Sequence, residues 1–144
     1  MRSAFILALL LCNLANAWAN NPVTEAAAKE PGAKVLPSGL VFRALKEGQG
    51  PSPLATQTVK VHYRGTFPDG KEFDSSYKRN EAIEFPLQNV IACWTEGVQL
   101  MKVGGKSKLT CPPNIAYGAR GAGGVIPPNA TLVFEVELIA IAGK

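Results

Sequence analysis

The chain has 144 residues, 47% of them hydrophobic and 18% charged, with a formal net charge of +4. That is enough for one hydrophobic core and excludes a disordered or collagen-like chain. The positive excess is scattered, densest only at Lys102, Lys106 and Lys108, which argues against a nucleic-acid face. Three cysteines and one histidine leave little material for a metal site.

Met1-Arg2-Ser3 carries one cation, Ala4 to Leu11 is an unbroken apolar run, and small-x-small sites follow at Ala15 to Ala17 and Ala17 to Ala19. This is the layout of a secretory signal peptide. The run is too short to span a membrane, which takes about 20 apolar residues. Residues 1–19 therefore read as a signal peptide with cleavage after Ala17 or Ala19, and the protein as exported, to the periplasm first, with the outer envelope or secretion as other destinations. Cys12 raises a lipid-anchor alternative, but Leu10 and Leu11 stand where small residues would be wanted. Cys93 and Cys111 would then meet an oxidising compartment. Whether they pair or are two small buried side chains is a matter of geometry.

Residues 20–37 hold Pro22, the Ala26 to Ala28 run, Pro31-Gly32 and Pro37, with no amphipathic stripe. They read as a flexible N-terminal arm. From Ser38 the pattern is mostly β. Leu40, Phe42 and Ala44 alternate with Arg43, and residues 58–64 alternate with Val59, Val61 and Tyr63 on one face. Pro68-Asp69-Gly70-Lys71 is a turn joining that strand to Glu72-Phe73-Asp74 as a hairpin. Ile83-Glu84-Phe85 is a further short strand. Cys93 to Met101 is the best helix, with Trp94, Val98 and Met101 on one stripe and Gly104-Gly105 as the stop. Lys106 to Cys111 and Thr131 to Ile139 are strands. These elements imply an α+β fold in which an antiparallel sheet buries one face under a helix.

Residues 112–129 form a long segment rich in Gly and Pro, and such segments in compact domains are usually functional or disordered. Tyr117, Val125 and Ile126 argue against plain disorder. The lone His62 reads as an outward-facing strand residue. No phosphate loop, HExxH or CxxC motif is present. The aromatic and apolar residues Tyr63, Phe73, Phe85, Val90, Ile91, Trp94, Tyr117, Val125, Ile126 and Phe134 fit a core and a small-ligand or peptide pocket equally well.

Six blocks carry a more specific signal: Val61-His62-Tyr63-Arg64-Gly65, Phe73-Asp74-Ser75-Ser76, Val90-Ile91, Trp94-Thr95-Glu96-Gly97, Ala116-Tyr117-Gly118, and Val125 through Phe134. In order and spacing they resemble the FKBP-type peptidyl-prolyl cis-trans isomerases, over about Ser38 to Leu138. The resemblance implies a twisted antiparallel β-sheet wrapped around one short α-helix, with residues 38–144 as the isomerase domain. It implies acceleration of X-Pro isomerisation during the folding of exported proteins, in an apolar aromatic pocket, without cofactor or metal. A non-catalytic proline-peptide-binding or chaperone module on the same scaffold is the alternative. By the same resemblance Trp94 is the pocket floor, and Tyr63, Phe73, Val90, Ile91 and Phe134 are walls. Asp74 is the polar wall residue held by Arg79, and Tyr117 is the loop hydroxyl. Asp74, Tyr117, Trp94 and Phe73 are then the catalytic set, with Ile83, Val125 and Ile126 added to the substrate-binding walls. Implied partners are proline-containing polypeptide segments and macrolide-type inhibitors, with no nucleic acid and no membrane span. The resemblance also implies a monomer, since the family's N-terminal helical dimerisation domain has no counterpart. Ile83 replaces the family's usual aromatic ring, the stretch between Phe85 and Val90 is short, and Cys93 replaces a common Gly.

Overall fold

The structure, a computed structural model, describes residues 21–142. The expected signal segment and Cys12 lie outside them. The chain runs through α1 (Pro22–Ala28), β1 (Lys34–Val35), β2 (Val41–Lys46), β3 (Thr58–Thr66), β4 (Glu72–Ser75), α2 (Ser76–Arg79), β5 (Ile83–Pro86), α3 (Ala92–Val98), β6 (Lys106–Cys111) and β7 (Leu132–Ala142). Short 3-10 turns at Leu87–Asn89 and Pro113–Ile115 precede α3 and follow β6.

The strands form one antiparallel sheet in the order β1-β2-β6-β7-β3-β4, with β5 also on β3. Alternation sets the buried face. Leu132, Phe134, Val136 and Leu138 of β7 point into the core with Val59, Val61 and Tyr63 of β3. On that face lies α3, burying Trp94 and Val98, with Met101 just beyond its end. A seven-residue helix is marginal alone, so packing supplies its stability. A disulfide between Cys93 of α3 and Cys111 of β6, Cα atoms 5.8 Å apart, ties helix to sheet. Both cysteines are fully buried.

One expectation is corrected. Part of the stretch read as a flexible arm is α1. Asn21 caps it, its side chain accepting from the Val23 and Thr24 amides, and Pro22 opens it with a preset φ. The Asn21 amide donates to Thr131 Oγ1 at 2.7 Å, and Lys108 of β6 pairs with Glu30 at 2.8 Å. Composition hid this helix because α1 is held by its cap and its docking, with no amphipathic stripe. The hairpin appears as read: Phe67 and Lys71 close it, and Gly70 adopts φ 91°. The Gly-rich segment is also ordered, by bonds such as Asn129 N–H to Gly118 C=O at 2.8 Å and a bridge between Ala122 and Ile126. No helix of the described residues is long and apolar enough to cross a membrane.

Candidate functional site

β3 carries two short strands along one edge. β4 pairs with it from Arg64 to Thr66 and β5 from Thr58 to Val61. Between the two strands the edge opens at His62 and Tyr63. The fully buried Ser76 fills that gap, its hydroxyl accepting from Tyr63 N–H at 2.7 Å and lying 2.8 Å from His62 Nδ1. Tyr63 is thus held by its backbone, and its ring projects toward the helix.

A cavity of about 440 Å³ opens over the N-terminal end of α3, lined by Tyr63, Phe73, Asp74, Phe85, Asn89, Val90, Ile91, Trp94, Tyr117 and Phe134. Trp94 meets Tyr63, Phe85 and Phe134 edge to face, with ring centroids 5.3, 5.5 and 5.5 Å away. Phe73 stands against Phe134 at 5.6 Å in the same manner. Such pairs add about 0.5–1.5 kcal/mol each beyond area burial and fix ring positions. Gly65 is required here. A Cβ on it would come within 2.6 Å of Phe73 and 3.0 Å of Phe134.

The polar side of the cavity is a triad of contacts. Tyr63 Oη donates to Asp74 Oδ2, Arg79 Nη1 donates to Asp74 Oδ1 at 2.8 Å, and Arg79 Nη2 donates to Tyr63 Oη at 3.2 Å. Burial pushes the Asp74 carboxyl up, but its hydrogen bonds from Arg79 and Tyr63 outweigh this and hold it below the usual carboxylate value. Burial, together with the acceptor Asp74, raises the Tyr63 phenol. Asp74 is therefore an anion fixed in orientation, with no proton to give at neutral pH.

Two donors at the cavity are unspent. The indole Nε1 of Trp94 is buried with no hydrogen-bond partner among the described residues. A buried donor left unpaired costs about 1–3 kcal/mol, and such costs collect at functional sites. No hydrogen bond among the described residues uses the Ile91 N–H, while the Ile91 carbonyl accepts from Trp94 N–H at 2.9 Å to start the helix. Tyr117 stands half-exposed at the rim.

The structure brings together Tyr63, Phe73, Asp74, Val90, Ile91, Trp94, Tyr117 and Phe134, with Arg79 behind Asp74. It leaves three expected wall residues outside the lining. Ile83 pairs with Val61 and packs at the edge of the core. Ile126 is itself core, and Val125 is 56% exposed on the loop. Phe85, two residues beyond Ile83 on the same strand face, takes the wall position, and its aromatic ring was the available signal. Asn89 had none, because a polar residue in a turn reads as solvent-facing.

Three comparisons show what the chain is similar to. Residues 50–139 match the model of the FKBP-type peptidyl-prolyl cis-trans isomerase family. The chain is 51% identical over 117 residues to the FKBP-type peptidyl-prolyl cis-trans isomerase FkpA of Escherichia coli strain K12, covering 81% of this chain and 43% of that one. It is 56% identical over 103 residues to FK506-binding protein 1 of Dictyostelium discoideum, covering 70% of this chain and 96% of that one. The crystal structure of a peptidyl-prolyl cis-trans isomerase from Pseudomonas syringae superposes with a TM-score of 0.79 at 41% identity, covering 90% of this chain and 95% of that one. The chain thus spans under half the length of the E. coli relative.

Proposed function

The chain belongs to the FKBP-type peptidyl-prolyl cis-trans isomerases, and on that premise we propose that it accelerates cis–trans rotation about X-Pro bonds in polypeptide clients. The observation that carries this is the aromatic cavity over Trp94 with an oriented carboxylate on one wall.

The uncatalysed barrier is about 18–20 kcal/mol because planarity carries amide resonance. Rotation to the twisted state breaks no bond and needs no nucleophile. It removes resonance and reduces charge separation, so a dry aromatic enclosure favours the twisted imide over the planar one. This is differential binding of the transition state. In this reading the proline ring seats on the Trp94 indole between Tyr63, Phe73, Phe85 and Phe134. The Ile91 N–H and the Tyr117 hydroxyl bond the client's carbonyls, and Val90 contacts the residue before proline. Asp74, fixed by Tyr63 and Arg79, sets the polar wall against which the rotating carbonyl turns. Each such contact supplies about 1–3 kcal/mol. Macrolides of the FK506 type, named in the Dictyostelium relative, fit the same cavity as competitive occupants.

We also propose export to the periplasm, supported by the apolar run and small-residue sites of residues 1–19, and an isomerase unit that begins at Ser38.

The test is the isomerisation rate of a short X-Pro peptide at micromolar protein. Acceleration that an FK506-type macrolide abolishes is the expected result. Peptide binding without acceleration would overturn the enzyme reading in favour of a holding module.

A further inference from the structure

A second cavity, of about 260 Å³, lies past the other end of α3, between the outer edge of β2 and the turn that follows the helix. Its floor is Phe42, Met101 and Ser107, each under a tenth exposed. Around the rim stand Lys34 of β1, Lys46 at the end of β2 and Lys102 beyond α3, with Glu47 as the acidic member. None of the three lysines forms an ion pair among the described residues. The segment that follows Gly48 is braced on the turn after α3, since Gly50 N–H donates to Val103 C=O and Val103 N–H donates to Pro51 C=O, both at 3.0 Å.

The sheet edge above this cavity is incomplete. β1 pairs with β2 only at Val41 and Phe42, while β2 continues to Lys46. Phe42 and Ala44 line the cavity from alternate positions of one strand face, and Lys46 joins them beyond a bulge in the ladder between Ala44 and Lys46. An open edge above a floor that holds the apolar side chains of Phe42 and Met101 is a geometry that receives an extended segment as an added strand. Edge lysines ordinarily discourage such pairing. A segment bearing carboxylates removes that objection, because it pairs with the three ammonium groups.

We propose that this cavity and the free part of the β2 edge form a second polypeptide-holding site, for an extended acidic segment that inserts one apolar side chain. It needs no proline, and it stands whether or not the first cavity isomerises X-Pro bonds. Trp94, in the first turn of α3, and Met101, just beyond its end, lie seven residues apart, one at each cavity.

The test titrates the full chain with two proline-free hexapeptides, one alternating Asp with Leu and one alternating Lys with Leu, while amide resonances are followed. The Asp/Leu peptide should shift residues 42–48 and 100–107. Its affinity should fall about tenfold or more with Lys34→Glu, Lys46→Glu and Lys102→Glu combined. Turnover of a short X-Pro peptide should be unchanged in that variant. Equal binding by the Lys/Leu peptide, shifts confined to the Trp94 cavity, unchanged affinity in the variant, or no binding at millimolar peptide would each overturn the proposal. Loss of X-Pro turnover in the wild type alone would count against the isomerase reading and leave this one standing.

Discussion

The Ser76 hydroxyl accepts the Tyr63 backbone N–H at 2.7 Å, at the one point where β3 passes from one edge partner to another. Through this bond a fully buried side chain outside the cavity holds the residue that orients Asp74 inside it. Ser76→Ala leaves a buried donor unpaired, which costs about 1–3 kcal/mol. It should lower the unfolding free energy read from a urea titration by that amount, moving the midpoint to lower urea, and reduce X-Pro turnover at temperatures where the variant is still folded. Unchanged midpoint and turnover would remove Ser76 from the account.

The Asp74 carboxyl has its folded-state pKa below the ordinary 3.8. Its contribution to stability is therefore complete above 3.8 and is lost as pH falls through the lower folded value. Turnover should stay flat from neutral pH down to about 5, then fall only in strong acid, and Asp74→Asn should abolish that acid limb. An acid limb that persists in Asp74→Asn would assign it elsewhere.

Burial and the Glu137 carboxylate, which accepts from Tyr77 Oη at 2.9 Å, push the Tyr77 phenol up to about 12. The neutral phenol's contribution is complete below the ordinary 10.0 and is lost as pH rises through about 12. Phenolate absorbance should show Tyr63 and Tyr77 both titrating later than the ordinary value, and Tyr77→Phe should reduce the late absorbance change by one tyrosine. A late change undiminished in Tyr77→Phe would place that step on another tyrosine.

The disulfide closes a loop with a sequence separation of 18 between α3 and β6. By loop entropy this is worth about 3 kcal/mol. Replacing both Cys93 and Cys111 with Ala should reduce unfolding free energy by about that much or more, since buried sulfur is lost too. An unchanged denaturant midpoint would show that the crosslink does not stabilise the fold.

The strand elements were legible because β3 and β7 each bury one face, so alternation survives in Val59, Val61 and Tyr63 and in Leu132 through Leu138. The helix was legible from Trp94, Val98 and Met101. What escaped was structure held by single polar contacts. The α1 helix depends on the Asn21 cap and Lys108–Glu30, and the Tyr63 backbone depends on Ser76. Neither leaves a periodic trace. Phe85 and Ile83 lie on the same strand face, and only the bends of the fold decide that Phe85 reaches the cavity while Ile83 stays on the core edge. Most of the site was legible through the spacing of its six blocks, since the aromatic residues alone fit a core equally well.

The central claim is that twisting of the X-Pro bond occurs on the Trp94 floor. Its most direct test is the catalysed isomerisation rate of a short X-Pro peptide by Trp94→Leu, a large apolar replacement that limits the void left behind. We predict a fall of about tenfold or more in kcat/KM, equivalent to about 1.4 kcal/mol or more of lost transition-state binding, with the sheet's circular dichroism intact. Full turnover in a folded Trp94→Leu protein would contradict the account.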